Sequence, residues 1–571
     1  MKPFLSTFLL FLAVLFAGCS PAGTAEIPAD GGPSTHGPVN VDERIETRPG
    51  DFKIASGGYD SLIAEGFKPR ADLAAVRLSV PIEWKMDPFK DRNWRFQLQA
   101  WRMLNPIWGE YLKSESPELL TEIWNVVRDW GEYHVIEGRT PSYAWQDMAT
   151  GIRAQHLAYF HRLRTDGLWD PSAEDDALLD ALTKKHVERL FGEEGIARNN
   201  HAFFQVHGLR LLCNEANPLD ACKGEEQFSA STMQRLITAQ FDEDGVHTED
   251  APDYHSFTLR TLKGIRLALY PSLDREVTAR LAKAEALMPW FTMPDGALAN
   301  IGDSEGVGYP VKAKLADSCD DPDVSPCVYH KNLVASGYAM VRAQWSPDPA
   351  SASMLVVTGT SHEYGHDHAD ELSFLMYHQG RAIFVDSGKY GYEKDEWREY
   401  FLSDVAHNTV GIEGATFAPG DTRSRGTSLT SMAHEERSYV ITGLVVRGDS
   451  FIHQRSLRYT PARHQIVLDD EWSIPSGARA VSRLHLAPGL SAGIEGANVL
   501  ISDEAGSAIV VISGSSENCR PEIARGQESP VKLGWFSQAY LQVSPTTSVS
   551  YVCDAVQSAL SLVLDFTPVK Q

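Results

Sequence analysis

From about residue 50 to residue 325, apolar residues recur every three or four positions, the spacing that gathers them on one side of a helix. The run S-P-E-L-L-T-E-I-W-N-V-V-R-D-W, residues 116–130, shows how one such helix begins. Ser116 supplies an N-terminal cap and Pro117 a pre-set first turn, while Leu119, Leu120, Ile123, Val127 and Trp130 form one apolar face. Segments 143–164, 174–191, 200–213, 231–241 and 254–270 continue in the same way. Stripes of this kind leave water only by packing on one another. Beyond about 330 the pattern changes to short β-branched and aromatic runs bounded by Gly, Pro, Asp and Ser: S-M-L-V-V-T-G-T, L-S-F-L-M-Y-H-Q-G-R-A-I-F-V-D-S-G, S-Y-V-I-T-G-L-V-V and H-Q-I-V-L-D-D-E-W. His378-Gln379-Gly380-Arg381 reads as a tight hairpin turn. Helices followed by strands predict an α+β multidomain chain, with a helical domain over 49–328 and an antiparallel β-sandwich over 329–571.

The N-terminus departs from both patterns. One Lys, an apolar run shorter than the roughly 18 residues of a spanning helix, and small residues before Cys19 predict an export signal over 1–19. Its end, L-F-A-G-C, resembles a bacterial lipobox with Phe16 where Leu is usual, so the expectation is a periplasmic or surface protein anchored to the outer membrane through Cys19. Residues 20–48, rich in Pro, Gly, Ala and Thr, read as a flexible tether.

A length of 571 residues calls for two or three domains. The formal charge of −24 argues against nucleic acid or an anionic membrane as a partner, membrane contact being confined to the lipid anchor. It leaves room for a polyanion met by a cleft of local donors. Six cysteines besides Cys19 suit an exported protein with disulfides, and the near-neighbour set Cys213 with Cys222, Cys319 with Cys327 and Cys519 with Cys553 is the expectation.

Candidate chemistry gathers in a few strings. S-H-E-Y-G-H-D-H-A-D-E-L-S-F, residues 361–374, crowds His362, His366 and His368 among carboxylates; an extended chain would turn His366, His368 and Asp370 to one side, a set that suits either a divalent metal such as zinc or a hydrogen-bonded polar patch at a domain boundary. Asp386 ends one predicted strand and His407 precedes another; for them to join His368, the chain around 361–370 must curl back. Asn200 and His201 open a helix, where an Asn cap and a functional Asn look alike. Tyr254 sits near the start of a helix entered at Pro252, where the dipole would favour the phenolate. Trp145 is a natural platform for a sugar ring, Arg153 a natural fork for a carboxylate, and Gln146 lies between them in sequence.

Taken in order, these strings resemble the heparinase II/III-like family of polysaccharide lyases. G-H-D-H-A-D-E-L-S-F-L-M-Y-H-Q-G-R-A-I-F-V-D-S-G-K-Y-G-Y, running on through W-R-E-Y-F-L-S-D-V-A-H-N-T-V, is similar to the family's H-x-H-A-D, V-D-x-G and A-H-N-T-V signature, and F-I-H-Q-R-S-L-R-Y to a later strand. The resemblance implies an N-terminal (α/α) toroid of helical hairpins ahead of the β-sandwich. It implies catalytic roles for Asn200, His201, Tyr254 and His366, substrate contact by Trp145, Gln146, Arg153 and Tyr400, and a structural zinc held by His368, Asp386 and His407. Asp367 stands where the family usually has Gly, and His255 or Tyr400 competes for the part of Tyr254. The implied reaction is β-elimination on a uronate-containing polysaccharide or oligosaccharide. His201 or Tyr254 would take the C5 proton, Tyr254 would protonate the departing oxygen, and Asn200 with His366 or Arg153 would quench the sugar carboxylate. Two other readings stand beside it. One is a glycoside hydrolase using Asp250 with Glu249 or Asp147, and the other is a non-catalytic glycan-binding lipoprotein of exopolysaccharide assembly.

Overall fold

The computed structural model describes residues 58–566 except 71, 217–218, 266–268, 307–318, 321–326, 346–350, 363–364, 515 and 517. The export signal and tether read from the sequence lie outside the described residues. The chain divides into two compact units, one formed by residues up to Ile237 with Thr261–Arg275, the other by Thr238–Arg260 with Glu276–Gln571. The division falls well before the change from helix to strand at 328, because residues 238–260 and 276–306 fold with the strands.

The first unit is helical: α1 (Gly58–Glu65), α2 (Arg92–Gln99), α3 (Leu104–Ser114), α4 (Pro117–Gly131), α5 (Asp147–Thr165), α6 (Ala173–Leu190), α7 (His201–Glu215) and most of α8 (Glu225–Gln240). Helix α4 starts as its sequence requires, with Ser116 Oγ accepting from Leu119 N and Pro117 in the first turn. Its stripe buries Leu120, Ile123, Trp124, Val127 and Trp130. Trp84, Trp94, Trp101, Trp108 and Trp130 are all fully buried and give the unit a core of large rings. Helices α5 and α7 cross at Gly151 and Gly208, where a Cβ on either would lie inside the other helix's backbone. Glycine is the residue that permits this approach. The disulfide Cys213–Cys222 joins the end of α7 to the turn beyond it.

The second unit takes in α9 (Pro252–Gly264) as far as Arg260, then α10 (Arg275–Leu287) from Glu276, three larger antiparallel sheets, and α11 (Glu396–Leu402). A five-stranded sheet runs in the order Val328–Leu333, Tyr338–Ala343, Ser353–Thr358, Phe374–His378, Arg381–Phe384. Its three middle strands are buried on both faces, which explains their continuous apolar runs. The hairpin between the last two pairs His378 with Arg381 and places Gln379 and Gly380 at φ 40° and 97°, the double positive φ of a type I′ turn. An eight-stranded sheet contains Phe451–Thr460, whose burial alternates residue by residue, between Ser438–Arg447 and Gln465–Ser473. A four-stranded sheet brings Cys519 directly opposite Cys553, where they form a disulfide; Cys319–Cys327 is the third. Side chains of the three sheets, among them Leu355, Phe374, Phe384, Leu457, Leu468, Val549 and Leu562, share one apolar core.

Beside that core, residues 301–305 run between the turn before α9 and the segment carrying His366. Gly302 adopts φ +56°, and a Cβ there would meet the carbonyl oxygens of Asp250 and His366 at 2.7 Å each. The next amide, Asp303 N, donates to His366 O at 3.0 Å. Three remote stretches of chain are thereby fixed side by side, and the side chain after Gly302 is directed into their midst.

Candidate active site

Asp303 is fully buried and accepts from three cationic or imidazole side chains. His366 Nδ1 lies 2.8 Å from Oδ2, His368 Nε2 lies 3.0 Å from Oδ1, and Arg398 reaches Oδ1 at 2.5 Å and Oδ2 at 2.9 Å. Burial acts to raise the carboxyl pKa, but hydrogen bonds from the two imidazoles and the Arg398 charge outweigh it and hold Asp303 well below the ordinary range. Arg398 sits on α11, whose N-terminus is capped by Asp395 accepting from Trp397 N and Arg398 N.

With Nδ1 anchored, His366 turns its ring face to Tyr254. The two rings stack with centroids 3.6 Å apart and planes 17° from parallel, and His366 Nε2 lies 3.6 Å from Glu249 Oε2. Tyr254 is set in place by its neighbour Asp253, whose amide donates to Ser304 Oγ at 3.1 Å and whose carboxylate accepts from Glu305 N at 2.7 Å. Its hydroxyl is 2.6 Å from that of Tyr392, which in turn accepts from Lys389 Nζ at 3.3 Å. Lys389 also pairs with Glu305 at 2.7 Å. The expectation that the helix start makes Tyr254 more acidic is corrected: burial pushes its phenol well above the ordinary value, with the Lys389 charge opposing it.

His368, Asp386 and His407 are all buried, and one ligand atom from each lies within 4.8 Å of the others. His407 Nδ1 is 2.7 Å from Asp386 Oδ2, while His368 Nδ1 and His407 Nε2 are buried with no hydrogen-bond partner among the described residues. Imidazole nitrogens without protein partners beside a carboxylate suit a zinc ion, and the His368 Nε2 contact to Asp303 is the outer support that such a ligand needs. The loop holding His407 is pinned through Asn408, which donates to Phe374 O and Val385 O, and through Arg455, which donates to Leu372 O and Asn408 O. The expected alternation of His366, His368 and Asp370 does not occur, because residues 365–370 are not a strand. Asp370 is buried outside this trio, both its carboxylate oxygens without a hydrogen-bond partner among the described residues.

Asp367, the departure from the family pattern, is pushed well up by burial and by Asp250, Asp370 and Glu371, toward its uncharged form. Asp250 gives one oxygen to His362 Nδ1 at 2.6 Å and the other to His362 N at 2.8 Å, so both serve one partner rather than an acid and base pair. His255 uses one ring nitrogen toward Ala284 O at 2.9 Å and the other toward His247 N at 3.2 Å, which removes it as a competitor of Tyr254. Tyr400 is corrected as a substrate contact: it is buried in an apolar cluster with Tyr390, Phe401, Val405 and Ala406.

In the helical unit, Asn200 occupies the N-cap position of α7 but makes no side-chain cap bond, and His201 Nδ1 lies 3.1 Å from Asp147 Oδ1. Gln146 caps α5 by accepting from Ala149 N at 2.8 Å. Trp145 packs edge-to-face on Trp130 at 5.3 Å and at a tilt against His186 at 5.2 Å. Arg153, expected as a carboxylate fork, is wholly buried: it donates to Gln99 O at 2.7 Å and His186 Nε2 at 3.1 Å and lies 4.2 Å over the Trp130 ring. It is a cation of the core. A cavity of about 830 Å³ on the second unit, lined by Asn300, Glu305, Met376, Arg381 and Asp503, includes neither Tyr254 nor His366.

A model described as heparinase II/III N-terminus matches residues 49–308, and one described as heparinase II/III-like, C-terminal, matches residues 328–564. The chain belongs to the heparinase II/III-like family. Among its relatives, a heparin-sulfate lyase of Bacteroides stercoris is 22% identical over 68% of this chain and 63% of its own length. One of Pedobacter heparinus is 19% identical over 75% of this chain and 68% of its own length. A heparinase III crystal structure superposes with a TM-score of 0.68 at 15% identity, covering 86% of this chain and 80% of that one. Heparan sulfate lyase HepC from Pedobacter heparinus gives 0.64 at 16% identity, covering 90% and 83%. These structural likenesses carry the fold: a helical N-terminal region and an antiparallel-sheet C-terminal region.

Asp303, Arg398, Tyr392 and Lys389 escape the sequence reading. The last three lie in strings that resemble the family, yet only the structure reveals their partners. Asp303→Asn is expected to lower stability at pH 7 by about 3–5 kcal/mol, because it removes the ion-pair partner of a buried Arg398. A carboxyl with a depressed folded pKa stabilises above its unfolded value of about 4 and loses that contribution as pH falls. Urea unfolding should therefore show the gap between parent and variant closing below about pH 4; a variant as stable as its parent at pH 7 would refute the role.

Proposed function

We propose that this protein is a polysaccharide lyase that cleaves a uronate-containing polysaccharide or oligosaccharide by β-elimination, leaving an unsaturated uronate end. The observation that carries the reading is the stacked pair of Tyr254 and His366, with His366 Nδ1 held by a buried carboxylate. A phenol able to move a proton and an imidazole fixed in orientation are the groups that removal of a C5 proton and departure of a glycosidic oxygen require. The names of the relatives support an anionic glycosaminoglycan as the first polymer to try.

C5–H is weakly acidic because its removal adds charge to an existing carboxylate, so that carboxylate must first be quenched by donors. Within the second unit His366 is the donor proposed for this, and by the family resemblance Asn200 of the helical unit shares the task. Tyr254 is the proposed donor of the proton to the leaving oxygen, with His201 or Tyr254 itself as the base. Zinc is proposed at His368, Asp386 and His407, where its positive charge would brace the segment that carries His366. At the level of architecture, the proposal extends to helical hairpins closing into an (α/α) toroid and strands forming a β-sandwich. An exported protein with a lipid on Cys19 is the proposed location. A hydrolase built on Asp250 is disfavoured by the use of both its oxygens on His362.

Incubation with a panel of uronate polymers should produce ultraviolet absorbance from unsaturated ends, and Tyr254→Phe should lose turnover by roughly 10²–10⁴-fold while still binding polymer. Saturated ends, or full turnover by Tyr254→Phe, would overturn the reading. Elemental analysis should find zinc in the purified protein, with both zinc and melting temperature lowered in His368→Ala; stoichiometric zinc and unchanged stability in that variant would remove the assignment. Metabolic labelling with palmitate should mark the parent and not Cys19→Ala, and an unlabelled parent would exclude the anchor.

A further inference from the structure

Tyr254 sets the site a charge problem. A phenol that gives up its proton leaves a phenolate in a place where burial already disfavours that charge. Its ring faces His366 on one side, and among the described residues its oxygen meets Tyr392 at hydrogen-bond distance, 2.6 Å. Tyr392 is itself in contact with an ammonium, Lys389 Nζ at 3.3 Å, and the Arg398 guanidinium lies 5.5 Å from the centre of its ring. Two carboxylates oppose these cations. Glu305 pairs with Lys389 at 2.7 Å, and Asp303 pairs with Arg398 and with His366. Lys389 is buried, and the charges around it raise its pKa, so its ammonium persists across the working pH range.

We infer that Tyr392 and Lys389 are positioning residues that stabilise the phenolate of Tyr254, the Tyr392 hydroxyl donating to the Tyr254 oxygen while it accepts from Lys389 Nζ. The inference rests on the reading of Tyr254 as the group that moves protons. When the Tyr254 O–H bond breaks and its proton passes to the leaving glycosidic oxygen, the electron pair stays on the Tyr254 oxygen. The Tyr392 oxygen lies 2.6 Å from it, within reach for its hydroxyl to donate. The C5 proton passes to the base, the C5–H pair forms the C4–C5 double bond, and the C4–O pair leaves on the glycosidic oxygen that takes the Tyr254 proton; Tyr392 keeps its own proton, polarised by the ammonium behind it. Hydrogen bonds made to a developing anion by donors fixed in advance are the ones that lower a barrier. Tyr390 in the same K-Y-G-Y string has no such part, its hydroxyl lying 3.4 Å from Asp395.

The test reads the phenol itself. Full-length protein labelled with 3,5-difluorotyrosine is titrated by fluorine NMR, and the Tyr254 resonance is identified as the one lost in Tyr254→Phe. Tyr392→Phe, which keeps the ring and removes the hydroxyl, should raise the Tyr254 midpoint by about one pKa unit, a tenfold change. Lys389→Met should raise it in the same direction. Because that variant strips Glu305 of its partner, the pair Lys389→Met with Glu305→Gln serves as the compensated form and should show the same rise. Unmoved midpoints in Tyr392→Phe and in the compensated variant, or a parent resonance that stays in the phenol form throughout, would overturn the inference. Failure to make unsaturated ends from any uronate polymer would instead sink the lyase reading, and the titration keeps the two failures apart.

Discussion

One carboxylate carries the site. Asp303 lies in a stretch without helix or strand, is fully buried, and binds His366, His368 and Arg398 at once. A charge in such a place is tolerated only when its lone pairs are used, and here cationic and imidazole donors from two separate segments use them. The consequence is geometric. His366 and His368 are tied to opposite oxygens of one carboxylate, so the ring that stacks on Tyr254 and the ring whose Nδ1 joins the buried trio cannot be displaced independently. Gly302 makes the arrangement possible, since its positive φ and missing Cβ let the chain pass between the carbonyls of Asp250 and His366.

Much of this could be read in the sequence, and the parts that could not have physical reasons. The period of three to four residues finds the helices of the first unit because their apolar stripes pack on one another, and the Ser116–Pro117 start is a local interaction that needs no tertiary context. The Gln379–Gly380 turn is equally local. The grouping of His368, Asp386 and His407 was available only through family resemblance, because strand alternation points to the wrong trio when the backbone at 365–370 is not extended. Asp303 was beyond reach for another reason: its partners are 63, 65 and 95 residues away, and nothing in N-I-G-D-S-E-G marks a carboxylate for burial. Arg153 shows the reverse error. Helix α5 is buried on nearly every side, so its sequence offers no outward face from which to tell a core cation from a substrate fork.

Charge bookkeeping explains how a chain of formal charge −24 can be read as receiving a polyanion. Around Tyr254 each cation is answered by one carboxylate, Lys389 by Glu305 and Arg398 by Asp303, and Arg447 answers Glu371 nearby. Two further carboxyls are held back from ionising, because burial and neighbouring carboxyls push Asp367 and Asp370 well up. Pairing and burial together leave less bare negative charge there than the formal charge of the chain suggests. A site of this kind would recognise an acidic sugar through oriented donors rather than excess positive charge. Fixed donors aimed at one atom distinguish the transition state, where charge grows on that atom, from the ground state, where it does not.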